Sequence, residues 1–179
     1  MTWLVVLFLV AVWAGVQNAL AGGGTFLTLP ALMATGMSAL AANITSTVAL
    51  FPGQVASCWG GRRHVAAVGS LPVRALMLIS LGGAVMGATL LLVTSSSGFA
   101  KLVPWLVLFA TSVFAWGSFG PKLKGLHQIG PRGTGIAQFL ISLYGGYFTG
   151  GIGFLMLAAL SAAGQGIRAA SANKNVLSG

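Results

Sequence analysis

Two glycine-broken apolar stretches, at matched places in the sequence, constrain this chain more than any other feature. Gly22 to Val48, GGGTFLTLPALMATGMSALAANITSTV, recurs 128 positions later as Gly150 to Val176, GGIGFLMLAALSAAGQGIRAASANKNV. Twelve of the 27 positions are identical, among them Gly22, Gly23, Phe26, Leu27 and Gly36. A composition rich in Gly, Ala and Leu gives some identity by chance. The shared punctuation says more: a glycine pair, an apolar run, one glycine, then a polar cluster inside the next apolar run. Glycine-interrupted apolar segments at corresponding places in two halves of a chain point to the binding site of a secondary transporter.

The setting is a membrane. Of 179 residues, 56% are hydrophobic and 5% charged, against about 25% charged in soluble domains. The nine charged residues are all Lys or Arg, with no Asp and no Glu. That excludes carboxylate acid–base chemistry, carboxylate metal sites and a carboxylate proton relay within the chain. A basic balance raises nucleic acid as a partner, but these charges fall between apolar runs, so no nucleic acid is expected. Cys58 stands alone in an apolar run and reads as a packing residue. No GxxxxGK[ST] motif is present to drive ATP-powered pumping. No serine–histidine pair falls at a plausible membrane depth, so the chain is not expected to be an enzyme. No cofactor and no metal are expected.

The predicted fold is an all-α polytopic membrane protein with two related repeats, each carrying a glycine-broken or re-entrant helix. Residues 1–119 form the first repeat, with spans at 2–21, 25–35 (a half), 38–59, 71–93 and 99–119. Residues 120–133 form a basic loop holding Lys122, Lys124, His127 and Arg132, and 134–179 begin an incomplete second repeat. Residues 1–21 lack a basic start and read as a retained span rather than a signal peptide. The piece from Thr25 to Thr35 rises only about 16 Å as a helix, half of a bilayer core of about 30 Å. Loop 60–69, with Arg62, Arg63 and His64, and loop 120–133 are both expected to be cytoplasmic. If each broken element crosses once, the two copies are parallel; if it crosses twice, they are inverted. The sequence leaves both open.

Candidate binding residues follow each half-helix. They are Asn43, Thr45, Ser46 and Thr47 in the first copy, and Ser171, Asn173, Lys174 and Asn175 in the second. Polar groups next to an intramembrane break can face a water-filled cavity. The predicted helix starts near Thr25, Ser38, Gly153 and Ile167 aim free N–H groups inward, which favours an anion. Lys174 has no carboxylate to pair with, and a bound anion would supply the missing charge. The competing reading has the hydroxyls bond back to their own helix and Lys174 snorkel to the interface. Gly22, Gly23, Gly24, Gly150 and Gly151 read as backbone breaks, and Gly82, Gly83 and Gly87 as points of close helix packing. His64 and His127 fit a topological role. Pro52 and Gln54 lie deeper in their span, as a kink or as pore lining.

At these residues the chain resembles the TauE/SafE family of sulfite-exporter-like membrane permeases. The resemblance rests on ALAGGGTFLTLPALMATGMSALAANITSTVALFPG, on WGGRRH, and on YGGYFTGGIGFLMLAALSAAG followed by ANKNVL. It implies a multi-pass protein of the bacterial inner membrane that carries small anions, typically sulfur oxyanions or organosulfonates. The partners implied are a small anionic substrate and the lipid bilayer, and a homo-oligomer stays open. Family members carry further spans, so a truncated sequence or half of a larger assembly is expected. The alternative is a non-transporting scaffold or subunit that completes a partner.

Overall fold

Local sequence signals account for where each helix begins and ends. The computed structural model describes residues 2–119 and 129–178; Lys122, Lys124 and His127 of the predicted basic loop lie outside the described residues. Among the described residues the secondary structure is helical, apart from one isolated bridge between Val68 and Leu71. Helix α1, Thr2–Leu20, stops at a glycine run in which Gly22 and Gly23 take φ of +81° and +94°, a region open to glycine at little steric cost. Helix α2, Thr25–Ala34, holds Pro30. Helix α3, Ala39–Gly61, starts at Ser38, whose hydroxyl accepts the Ala41 N–H at 3.3 Å, a standard N-cap.

Arg62–His64 form a single 3₁₀ turn, and helix α4, Val73–Val93, follows. Helix α5, Ser96–Phe119, begins earlier than the predicted span because the Ser95 hydroxyl caps the Gly98 N–H at 3.2 Å. Helix α6, Pro131–Tyr147, starts on a proline at its first position, where the missing N–H is harmless. Helices α7, Ile152–Ala162, and α8, Ile167–Leu177, complete the chain.

The matched stretches adopt matched geometry. Gly23 and Gly151 have φ of +94° and +80°, and Gly36 and Gly164 have +95° and +88°. Ser38 and Gly166, just ahead of α3 and α8, share ψ of 151°. Helices α1, α4 and α5 are long and apolar enough to cross a membrane. Their outer faces carry exposed Leu4, Phe8, Trp13, Leu78, Leu81 and Trp105, as lipid-facing surfaces do. Helices α2 and α7, of 10 and 11 residues, each extend only about 15 Å.

Two hydrophobic clusters fix the directions of the helices. One gathers Leu29 and Ala42 with Leu91, Phe99 and Phe148; the other gathers Met156, Leu160 and Ala170 with Val68 and Leu76. Leu76 and Leu91 sit near opposite ends of α4, about 22 Å apart along the helix, so the clusters lie near opposite faces of the bundle. Helices α2 and α7 start side by side, with Phe26 stacked on Phe154 at 6.4 Å, and diverge toward opposite clusters. Helices α3 and α8 run antiparallel: Gln54 meets Asn175 and Ser178, while Gly61 faces Ala172. The Arg62–Val68 segment, Ile129 and the Ala162–Gln165 turn share one face.

Helices α4 and α6 run parallel in close contact. A Cβ on Gly83 would sit 2.6 Å from the Phe139 carbonyl oxygen and 3.0 Å from the Leu143 nitrogen. Gly87 meets the Leu143 carbonyl, whereas Gly82 faces open space. Gly83→Leu is expected to cost at least about 1–3 kcal/mol by overpacking against backbone, read as a lower melting temperature in detergent, while Gly82→Leu leaves the melt nearly unchanged.

Candidate functional site

The last carbonyls of a helix have no partner within that helix, and here the partners come from the other half of the chain. The Lys174 ammonium of α8 donates to the carbonyls of Asn18 and Ala19 at the end of α1, at 3.1 and 3.4 Å. The Asn43 amide of α3 donates to the Tyr147 carbonyl at the end of α6, at 3.4 Å. Each polar cluster therefore ties down the helix that precedes the opposite stretch. A cation at a helix C-terminus meets a favourable partial negative charge, which offsets part of the expense of burying Lys174, 1% exposed, in a chain without carboxylates.

The two glycine breaks touch beside this lysine. A Cβ on Gly22 would lie 2.9 Å from the Gly153 nitrogen, and one on Gly153 would lie 2.6 Å from the Ala21 carbonyl oxygen. Tyr144 steadies the second break by donating its hydroxyl toward the Gly150 carbonyl at 2.8 Å. The junction leaves a cleft of about 70 Å³, lined by Asn18, Thr47, Gln54, Thr149, Lys174 and Ser178, with Leu50, Phe51 and Ile152 as its apolar wall. Its polar groups form one network. Asn18 donates to the Gln54 side-chain oxygen at 2.9 Å; Gln54 donates to the Ser178 hydroxyl at 2.7 Å and to the Asn175 carbonyl at 3.1 Å. The hydroxyls of Thr47 and Thr149 pair at 2.7 Å. A larger groove of about 440 Å³ beside α4 and α6 shares Thr47, Thr149, Ile152 and Ser178 with the cleft.

The predicted binding residues separate into distinct places. Lys174 lines the cleft. Asn43 and Ser46 are buried on the same face of α3, Ser46 pairing with Thr28 of α2. Thr45 lies on the outside of the bundle. Asn173, fully buried, bonds the backbone of Ala66 through its side-chain oxygen and nitrogen, at 3.2 and 2.6 Å, and donates to Gln165 at 2.9 Å. Asn175 offers its main-chain carbonyl to Gln54, and its side-chain oxygen is buried without a partner, as is that of Asn43. Gly22 lines the cleft; Gly24 packs on the Ala14 carbonyl, and Gly23, Gly150 and Gly151 pack on the Phe26–Phe154 aromatic cluster. Asn18, Thr149 and Ser178 were not among the predicted residues. Asn18 and Thr149 had a readable signal: each is a polar residue just ahead of a glycine break.

Asn173→Ala is expected to destabilise the protein by about 1–3 kcal/mol, through loss of the two hydrogen bonds that tie Ala66 to α8, each worth about 0.5–1.5 kcal/mol. It should also speed tryptic cleavage at Arg62 and Arg63, because Asn173 holds the adjoining Ala66 in place. Limited proteolysis of the detergent-solubilised protein reads this directly.

Fold and sequence together define an all-helical membrane protein built around two broken helices. Residues 7–179 match the family model for the sulfite exporter TauE/SafE, and the chain belongs to that family. It is 30% identical to the "Probable membrane transporter protein YfcA" of Escherichia coli (strain K12) over 175 residues, covering 96% of this chain and 64% of that protein. It is also 30% identical to the "Probable membrane transporter protein ORF9" of Sinorhizobium sp over 181 residues, covering 97% of this chain and 67% of that protein. The chain thus spans about two thirds of the length of these curated relatives. No solved structure matches it.

Proposed function

We propose that the chain serves as a secondary transporter or exporter of small anions, with sulfur oxyanions or organosulfonates as the substrate class. In this reading it resides in the bacterial inner membrane as a multi-pass protein. One observation carries it: a buried ammonium, Lys174, opens onto a cleft at the junction of two glycine breaks in a chain without carboxylates. The start of α7 at Ile152 and Gly153 also lines the cleft, and the N-terminal end of a helix favours an anion. The antiparallel course of α3 and α8, and the divergence of α2 and α7, suit two inverted copies rocking about a central site. Alternating access in transporters of inverted-repeat design works in that way. The related proteins bear the name of membrane transporters, and the family that of sulfite exporters.

The test is thermal stabilisation of the detergent-purified protein by sulfite, sulfate, sulfoacetate, acetate and chloride. A ligand that binds the native state raises its apparent stability by mass action. A selective rise with a sulfur oxyanion is expected. A folded protein that responds to none of these anions overturns the proposal.

A further inference from the structure

The charge balance of the cleft deepens this reading, on which the following rests. Among the described residues lining the cleft, Lys174 is the one charged side chain. The groups facing it are Asn18 from α1, Thr47 and Gln54 from α3, Thr149 at the second break and Ser178 after α8, and none of these changes protonation near neutral pH. The end of α1 contributes about half a negative charge where the ammonium binds its carbonyls, and the start of α7 about half a positive one. These partial charges cancel, leaving about one positive unit. Arg62, Arg63, Arg74, Arg132 and Arg168 are all exposed and none lines the cleft.

We propose that the cleft accepts its anion in singly charged form, and that any proton accompanying transport rides on the anion itself. A dianion would leave one negative charge unbalanced beside Lys174, a side chain 1% exposed, where an unpaired charge is expensive. A singly charged oxyanion is matched. An anion such as sulfite reaches that form by taking up one proton to give hydrogensulfite. The proton then crosses on an oxyanion, and no protein carboxylate is needed. A cleft of about 70 Å³ suits a compact head group of this kind.

The experiment measures binding of three probes to the purified full chain at about pH 6 and about pH 8. Methanesulfonate is always a monoanion, sulfate a dianion, and sulfite titrates between the two forms. Methanesulfonate, whose own charge is fixed, reports any change in the protein between the two pH values, and sulfate is expected to bind at least ~10-fold more weakly than methanesulfonate. Relative to methanesulfonate, sulfite should weaken about tenfold from the lower to the higher pH, following its hydrogensulfite fraction. Thr149→Lys, which adds a second cation at the cleft wall, is expected to move preference toward sulfate. Sulfate binding as tightly as methanesulfonate overturns the proposal, as does sulfite binding that strengthens with pH. Sulfite binding that falls with pH no further than methanesulfonate binding also overturns it, since the titrating group would then belong to the protein. If none of the three binds a folded protein, the anion-site reading itself falls, an outcome distinct from anions binding without regard to charge.

Discussion

Gly153→Val is expected to prevent the protein from reaching its native packing. Gly153 and Gly22 bring two stretches of backbone into direct contact, with no flexible side chain between them to give way. A Cβ on Gly153 would stand 2.6 Å from the Ala21 carbonyl oxygen and 3.0 Å from the Gly22 nitrogen. Overpacking of ordinary cores costs about 1–3 kcal/mol, and here rigid backbone on both sides makes that a lower bound. Gly22→Val carries the same overlap and a second penalty, since its φ of +81° adds about 1–2 kcal/mol for a residue with a Cβ. Gly36→Ala is the control. Its φ is +95° with nothing within 4 Å of the added Cβ, so it should show the conformational cost alone. Size-exclusion profile and melting temperature in detergent separate these cases. A Gly153→Val protein that elutes and melts like the native one would show that the two breaks do not meet.

Features set by a few neighbouring residues were legible in the sequence. The glycine breaks, the Ser38 cap, the proline start of α6 and the short α2 and α7 depend on local backbone preferences, and the sequence states those directly. The candidate site was legible only in part, because a pattern along the chain does not name a partner across it. Lys174 was singled out as a buried cation awaiting a counter-charge; that it rests on the carbonyls of Asn18 and Ala19, more than 150 residues away, has no signature in sequence. Asn43 and Tyr147, 104 residues apart, are the same case. The difference between Thr45 and Ser46 was within reach. Asn43, Ser46, Leu50 and Gln54 recur at helical spacing and are all buried, whereas Thr45 falls off that stripe. The relative course of the two glycine-broken stretches could not be read from span counting, since it depends on whether a half-length helix turns back. The course of α2 and α7 toward opposite hydrophobic clusters answers to packing, which lies in no single segment.

Lys174→Met is expected to weaken binding of a sulfur oxyanion by about 100-fold or more, since removing one partner of a buried charge pair costs about 2–5 kcal/mol. The methionine keeps the apolar stem and its packing while deleting the charge. Two opposing effects then act on stability. The Ala19 carbonyl loses its donor, and the Asn18 carbonyl keeps only the Gly22 N–H at 3.0 Å, a loss of about 1–3 kcal/mol for each unpaired group. Against this, the burial of an ammonium that lacks any carboxylate is relieved. These effects are of similar size, so insertion into the membrane and the melting temperature without ligand should change little. That pairing of outcomes separates a ligand-binding lysine from a purely structural one. A lysine that only fastens the end of α1 would give the reverse: a lowered melting temperature and an unchanged affinity for every anion. The same reverse pattern is expected of Asn43→Ala, because Asn43 fastens the end of α6 and does not line the cleft. Measured side by side, the two variants divide the reciprocal ties into one that holds a helix and one that also holds an anion.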